Sequence, residues 1–339
     1  MKYTVKTIAA DLGVAPSTIS KILNHTGNFS EELREKVLNY IKEIDYVPVY
    51  SARILKSHKS WNIGIIYTEE TSIGLEHPFF SAVLQSFKEY VEKEGYDLSF
   101  IVHQIGRNHM SYLKWCKNKK IDGVLIVVGS HNNKELIELS LSNIPCVSTD
   151  VVRENIQTIT CDNGQGIRLS IEYAMKLGIT KIGMIAGPLT ARHFLDRFTI
   201  YKDTLKDNNL DFNEQWVISA KGFGYSSGYD AALKLCSRDC QRPELLLIGS
   251  DLIAFGAINA LKSIGLDIPK DIQVIGFDDI SFAKMFNPQL TTIKQNTKEI
   301  GIKAAQKLIS MIDNKDPNST GITKIPVELI ERETTTIIN

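Results

Sequence analysis

Ser17, Thr18, Ser20, Lys21 and Asn24 bring three hydroxyls, an ammonium and an amide into one short stretch, with the apolar Ile19, Ile22 and Leu23 between them. Groups of this kind hydrogen-bond without making or breaking covalent bonds, and on an outward face they suit base edges and phosphates. The inventory for covalent chemistry is thin: the chain has no H-E-x-x-H and no Walker loop. Asp278 and Asp279 resemble the carboxylate pair of a glycosidase. Adjacent residues at a strand end point in different directions, which makes them a poor acid/base pair. Asp162-Asn163-Gly164-Gln165-Gly166 has the look of a phosphate loop but lacks the third glycine of a dinucleotide fingerprint. Cys116, Cys146, Cys161, Cys236 and Cys240 form no Cys-x-x-Cys and no metal-ligand spacing, so they read as reduced core thiols. The expectation is a protein that binds rather than catalyses, with no cofactor and no metal.

The polar residues between 17 and 24 need a rigid rod to present them. Val5, Ile8 and Ala9 recur at helical spacing, and Thr4 before them suits an N-cap. Gly13 supplies a tight turn, and Pro16 suits the first position of a second helix reaching about Leu23. Two short helices joined this way make a helix-turn-helix, whose second helix is dimensioned for the major groove of DNA. Taken alone, the pattern also fits a three-helix cap on an enzyme. Residues 1–60 carry nine basic and six acidic residues, a net charge of +3 in a chain of net charge zero. So small an excess favours two such units acting together on a near-palindromic duplex.

From Trp61 onward, strands and helices alternate. NIGIIY, YDLSFIV, IDGVLIVV and IPCVSTD read as strands of a first half, and KIGMIAG, WVISA, ELLLIG and IQVIGFD as strands of a second. Such alternation implies parallel sheets covered by helices, here two doubly wound lobes with a ligand cleft at the strands' carboxyl ends. With 43% hydrophobic and 23% charged residues the chain is globular, and no apolar run is long enough to span a bilayer. MKYTVKTIAADLG shows no apolar signal region, so a cytoplasmic protein is expected.

The order and spacing of IAADLGVAPSTISKILN, SEELREKVLNYIKEIDY, YVP, SARILK and NIGIIY resemble the lactose-repressor (LacI/GalR) family of bacterial transcription regulators, and the likeness covers nearly the whole chain. It implies an α/β chain with an all-α helix-turn-helix headpiece and a hinge helix, joined to a bilobed periplasmic-binding-protein-like core of two parallel-sheet subdomains. The expected division is 1–46 for the headpiece and 47–60 for the hinge. The near lobe takes 61–160 and 293–322, the far lobe 161–292 and 323–339, with crossings near 160, 292 and 322.

By the same likeness the DNA contacts are Thr4, Pro16, Ser17, Thr18, Ser20, Lys21 and Asn24, joined by Ala52, Leu55 and Lys56 of the hinge. Leu55 takes the place of the leucine that wedges between base steps in the minor groove. Val49 departs from the asparagine usual after the hinge proline.

In the cleft, the resemblance implies a small-molecule effector held by Arg197 and Asp278, with Asp150, Ser250 and the aromatic Phe79 and Phe223. Carboxylate, guanidinium and ring are the groups that hold polyols, so a sugar is the expected effector and a sugar-released repressor the expected role. The alternatives are a co-repressor-dependent regulator answering a nucleobase or other metabolite, and a sugar-binding protein without DNA function. Each residue also has a plain structural reading: Arg197 paired with Asp196 or Asp203, Asp278 capping a turn, Phe80 in the core. Ser250 in place of the usual Asn, Ile200-Tyr201 after the arginine, and His77 and His193 near the cleft depart from the family pattern. No leucine heptad follows the last core strand (around Ile325–Leu329), which leads one to expect a homodimer rather than a tetramer.

Overall fold

The computed structural model describes residues 3–23, 27–46, 59–67, 74–102, 104–130, 132–153, 155–237, 241–316 and 319–337. It forms two compact units, Met1–Ser60 and Trp61–Asn339.

Among its described residues the first unit holds three helices: α1 (Val5–Leu12), α2 (Pro16–Leu23) and α3 (Glu31–Glu43). Thr4 caps α1 reciprocally with Thr7: each backbone N–H donates to the other's hydroxyl, at 2.8 and 3.2 Å. Gly13 ends α1 in the left-handed region, at φ 65°, where a side chain would be strained. Ile8, Ala9, Ile19, Ile22 and Val37 are the buried centre, and the Tyr40 hydroxyl donates to Asp11 at 2.8 Å, tying α3 to α1.

The second unit is built on two six-stranded sheets. The first contains β1 (Asn62–Tyr67), β2 (Asp97–Phe100), β5 (Gly123–Val128), β6 (Cys146–Ser148), β7 (Gln157–Cys161) and β13 (Gly321–Ile325), in the order β2-β1-β5-β6-β7-β13, all parallel. A two-residue hairpin, β3 (Gln104–Ile105) and β4 (Asn108–His109), stands beside it. The second contains β8 (Ile182–Ala186), β9 (Val217–Ser219), β10 (Leu245–Ile248), β11 (Gln273–Asp278), β12 (Thr291–Gln295) and β14 (Val327–Ile330), in the order β9-β8-β10-β11-β12-β14. Only its edge strand β14 runs antiparallel. Strands such as GVLIVV and LLLI are buried along their whole length, as expected when helices cover both faces.

The covering helices are α4 (Pro78–Lys93), α5 (Tyr112–Asn118), α6 (Lys134–Ser140), α7 (Asn163–Lys176), α8 (Arg192–Asp207), α9 (Tyr225–Cys236), α10 (Asp251–Ser263) and α11 (Thr297–Ile312). The chain changes sheet after β7, after β12 and between β13 and β14. β12 pairs with β11 through Lys294 and with β14 through Gln295, and β13 pairs with β7 through Ile325. The later two changes therefore fall at Asn296 and Pro326, a few residues beyond the expected 292 and 322. Helix α11 packs on α4 and on β5, β6 and β7, so it returns to the first sheet before β13.

Helices α9 and α10 touch backbone to backbone. A Cβ on Gly228 would lie 2.0 Å from the Ile253 carbonyl oxygen, and one on Gly256 only 1.9 Å from that of Tyr225. No side chain fits there, so glycine sets the spacing of this pair.

Candidate nucleic-acid interface and interlobe cleft

In the three-helix unit, Ile19 and Ile22 turn inward, while Pro16, Ser17 and Lys21 are exposed and Thr18 and Ser20 half-buried. Helix α2 therefore presents one exposed and two half-buried hydroxyls and a cation beside a proline ring. Thr4 is exposed but already engaged as the α1 cap. Asn24, Ala52, Leu55 and Lys56 lie outside the described residues, as do Val49 and the rest of the expected hinge helix.

In the core, a cavity opens between the carboxyl ends of the two sheets, and all six expected effector contacts line it: Phe79, Asp150, Arg197, Phe223, Ser250 and Asp278. Its empty space, open mouth included, is about 420 Å³. The topology explains the convergence. Phe79 stands at the start of α4 and Asp150 just past β6, both on the first sheet's side. Arg197 projects from α8, Phe223 follows β9, Ser250 caps α10 after β10, and Asp278 ends β11.

Arg197 is only 3% exposed. Its Nε donates to Asn163 Oδ1 at 2.7 Å and its Nη1 to the Gly249 carbonyl at 2.5 Å, while the guanidinium lies 3.5 Å above the Phe277 ring. Asp196 pairs instead with Arg192 at 2.7 Å, so the reading of Arg197 as a surface ion-pair partner is replaced by a buried, stacked guanidinium. Three fixed contacts hold its plane, leaving its remaining edge to the cavity.

Asp278 accepts from Gln295 Nε2 at 2.6 Å, and its backbone sits at φ 131°, with Asp279 at φ 54°. Burial pushes the Asp278 carboxyl well above the usual carboxylate range, against the pull of Arg197 and with added repulsion from buried Asp251. Asp279 pairs with Arg332 at 2.6 Å, so the two adjacent carboxyls serve different partners. Asp150 Oδ1 lies 2.9 Å from His193 Nδ1 on α8, a contact that spans the cleft. The rings of His193, Phe194 and Phe223 form one wall, with centroids 4.2 to 6.1 Å apart. Phe79 and Phe80 meet edge to face at 5.1 Å on the other, and both line the cavity, although Phe80 was expected only in the core.

Residue patterns alone did not single out Phe194, Cys161, Thr149, Thr160 or Gln295, all of which line the cavity. These types are common at strand ends and carry no motif. Tyr201, the bulky departure after the arginine, is fully buried and donates to the Ile182 carbonyl at 2.7 Å. It fills the underside of the second sheet and leaves the cleft alone. Asp162 caps α7 by accepting from Gln165 N at 3.0 Å, so the glycine-rich segment there is a helix start.

A three-helix unit with a polar outward helix, followed by a two-lobed core with a cleft that joins charged groups to aromatic rings, defines a ligand-responsive DNA-binding regulator. Residues 4–49 match the family model of bacterial regulatory proteins, lacI family, and residues 171–335 that of the periplasmic binding protein-like domain. The HTH-type transcriptional repressor PurR of Haemophilus influenzae is 30% identical over 97% of this chain and 98% of its own length. The ribose operon repressor of the same species is 31% identical over 93% of each. The Lac repressor dimer bound to operator and the anti-inducer ONPF shares the fold at TM-score 0.80, with 24% identity across 98% of this chain and 99% of that one. The chain belongs to the lacI family of bacterial regulatory proteins: it is a DNA-binding transcriptional repressor with an effector-binding core, and not an enzyme. Among the described residues, no helix is long and apolar enough to cross a membrane.

Proposed function

We propose that this regulator represses carbohydrate-utilisation genes from a near-palindromic operator, as a homodimer, and is released by a sugar or sugar derivative bound in the interlobe cleft. The observation that carries the reading is the convergence of Arg197, Asp278, Asp150 and Ser250 with the rings of Phe79 and Phe223 on one cavity. Vicinal hydroxyls suit the carboxyls and the guanidinium edge, and the C–H face of a sugar suits the phenyl walls. Dimerisation is supported by the exposed apolar side chains beside α10. Tyr225, Phe282 and Met285 are 45, 56 and 66% exposed, and Phe282 leans on Phe255 of that helix at 5.7 Å.

A second reading has its own support. Four phenyl rings, Phe79, Phe80, Phe194 and Phe223, line so small a space that a flat heteroaromatic ring such as a nucleobase also fits, acting as a co-repressor. The sign of the coupling separates the two, because effector and operator must change each other's affinity by the same factor. Arg197→Ala and Asp278→Ala should leave operator affinity intact and abolish the response. Calorimetry of both variants, alongside operator titrations with and without compound, tests this. An inducer makes them permanently repressing, and a co-repressor makes them permanently inactive. Variants with normal effector affinity and normal response would end the cleft assignment.

A further inference from the structure

His77 is the least settled polar group in the cavity wall. Its side chain ends the loop before α4 as that helix's N-cap residue, yet makes no capping hydrogen bond. The residue is 7% exposed, its ring rests against Phe80 at 5.1 Å, and Nδ1 is sealed from solvent with no hydrogen-bond partner. A buried ring nitrogen without a partner is costly to the fold, and natural proteins rarely leave one idle. The charged groups of the same lining are engaged: Asp150 with His193, Asp278 with Gln295, Arg197 with Asn163 and Gly249. The lining holds one guanidinium, two carboxyls and no lysine, so a phosphate group would meet a single cation with carboxyls beside it.

Resting on the cleft as the effector site, we propose that His77 is a specificity-determining ligand contact, giving one hydrogen bond to a hydroxyl or ring nitrogen of an uncharged ligand, and that phosphorylated relatives of that ligand are excluded. Burial pushes the imidazole down to about 4, with the charge of His193 adding to the effect, so the ring meets the ligand neutral. A neutral imidazole carries one donor and one acceptor nitrogen, so it can serve a hydroxyl in either sense.

The test is a thermal-shift and calorimetry panel on the full chain, using D-ribose, D-glucose, hypoxanthine and guanine, each beside its phosphate ester or nucleoside monophosphate. The expected result is that an uncharged compound raises the wild-type Tm while its phosphorylated partner does not. His77→Leu should weaken that binding about tenfold or more, and His77→Asn, which keeps a polar atom near the position of Nδ1, should restore part of it. Ligand-free His77→Leu should melt no lower than wild type, because it removes an unpaired polar atom. If it melts lower, Nδ1 is doing structural work and the inference is wrong. Equal binding by wild type and His77→Leu, or binding of phosphorylated compounds alone, overturns the inference and leaves the cleft reading standing. A wild-type protein that no compound shifts takes both down.

Discussion

The His77 ring is neutral in the folded chain at any pH above about 4, whereas in an unfolded chain it titrates near 6.5. Between those values the unfolded state binds a proton that the folded state does not, so stability rises with pH across this window. The contribution is fully present above about 6.5 and is lost as pH falls toward 4, and amounts to roughly 3 kcal/mol at most. Denaturant titrations of wild type and His77→Leu at several pH values should show the variant gaining on wild type as acid is added. Parallel curves would mean that the ring is not kept neutral by burial. On α2, Pro16 has no N–H to donate and only an apolar ring to offer, while Ser17 and Lys21 are the exposed polar side chains beside it. Exchanging all three residues should change the preferred half-site while keeping tight binding to some sequence, read by selection from a random duplex pool. An unchanged consensus would remove α2 as the reading helix.

Helices α9 and α10 depend on what is missing between them. Gly256→Ala would drive a methyl group to within 1.9 Å of the Tyr225 carbonyl oxygen, a backbone atom that cannot swing aside. The expected cost is about 3 kcal/mol or more in urea unfolding of the core, at the upper end of ordinary overpacking. A neutral result would show that the pair can slide apart. Elements of this kind were largely legible in the sequence, because β5, β8, β10 and β11 are apolar runs bounded by turns, and Thr4, Gly13 and Pro16 punctuate the headpiece helices. Sheet membership was less legible. Thr291–Gln295 and Gly321–Ile325 carry no local mark of the sheet they join, which depends on partners more than a hundred residues away in the case of β7 and β13. The same holds in the cleft. Arg197 and Asp278 could be named from a motif, but their orienting partners, Asn163 and Gln295, are ordinary polar residues whose role exists only once the two sheets face each other.

At the scale of the whole molecule, the modest charge of the first sixty residues and the apolar side chains beside α10 lead to the same expectation, a pair of chains sharing one operator. Sedimentation at low micromolar concentration should give a dimer, and charging the surface through Phe282→Glu and Met285→Glu together should give a monomer with weaker operator binding and intact ligand binding. A variant that stays dimeric would place the interface elsewhere. The strand Gly321–Ile325 has a different consequence, which concerns time. It is the outer edge of the first sheet, and α11, which covers that sheet, begins only at Thr297. A ribosome that has already released the three-helix unit and the strand Gln157–Cys161 must still add about 160 residues before the partner of that strand emerges, on the order of ten to thirty seconds of synthesis. Through that interval the growing chain carries a finished DNA reader on an unfinished sensor. A transcript broken before its last fifth would yield a headpiece without a complete cleft and, lacking Phe282 and Met285, without the surface through which two chains are expected to share an operator.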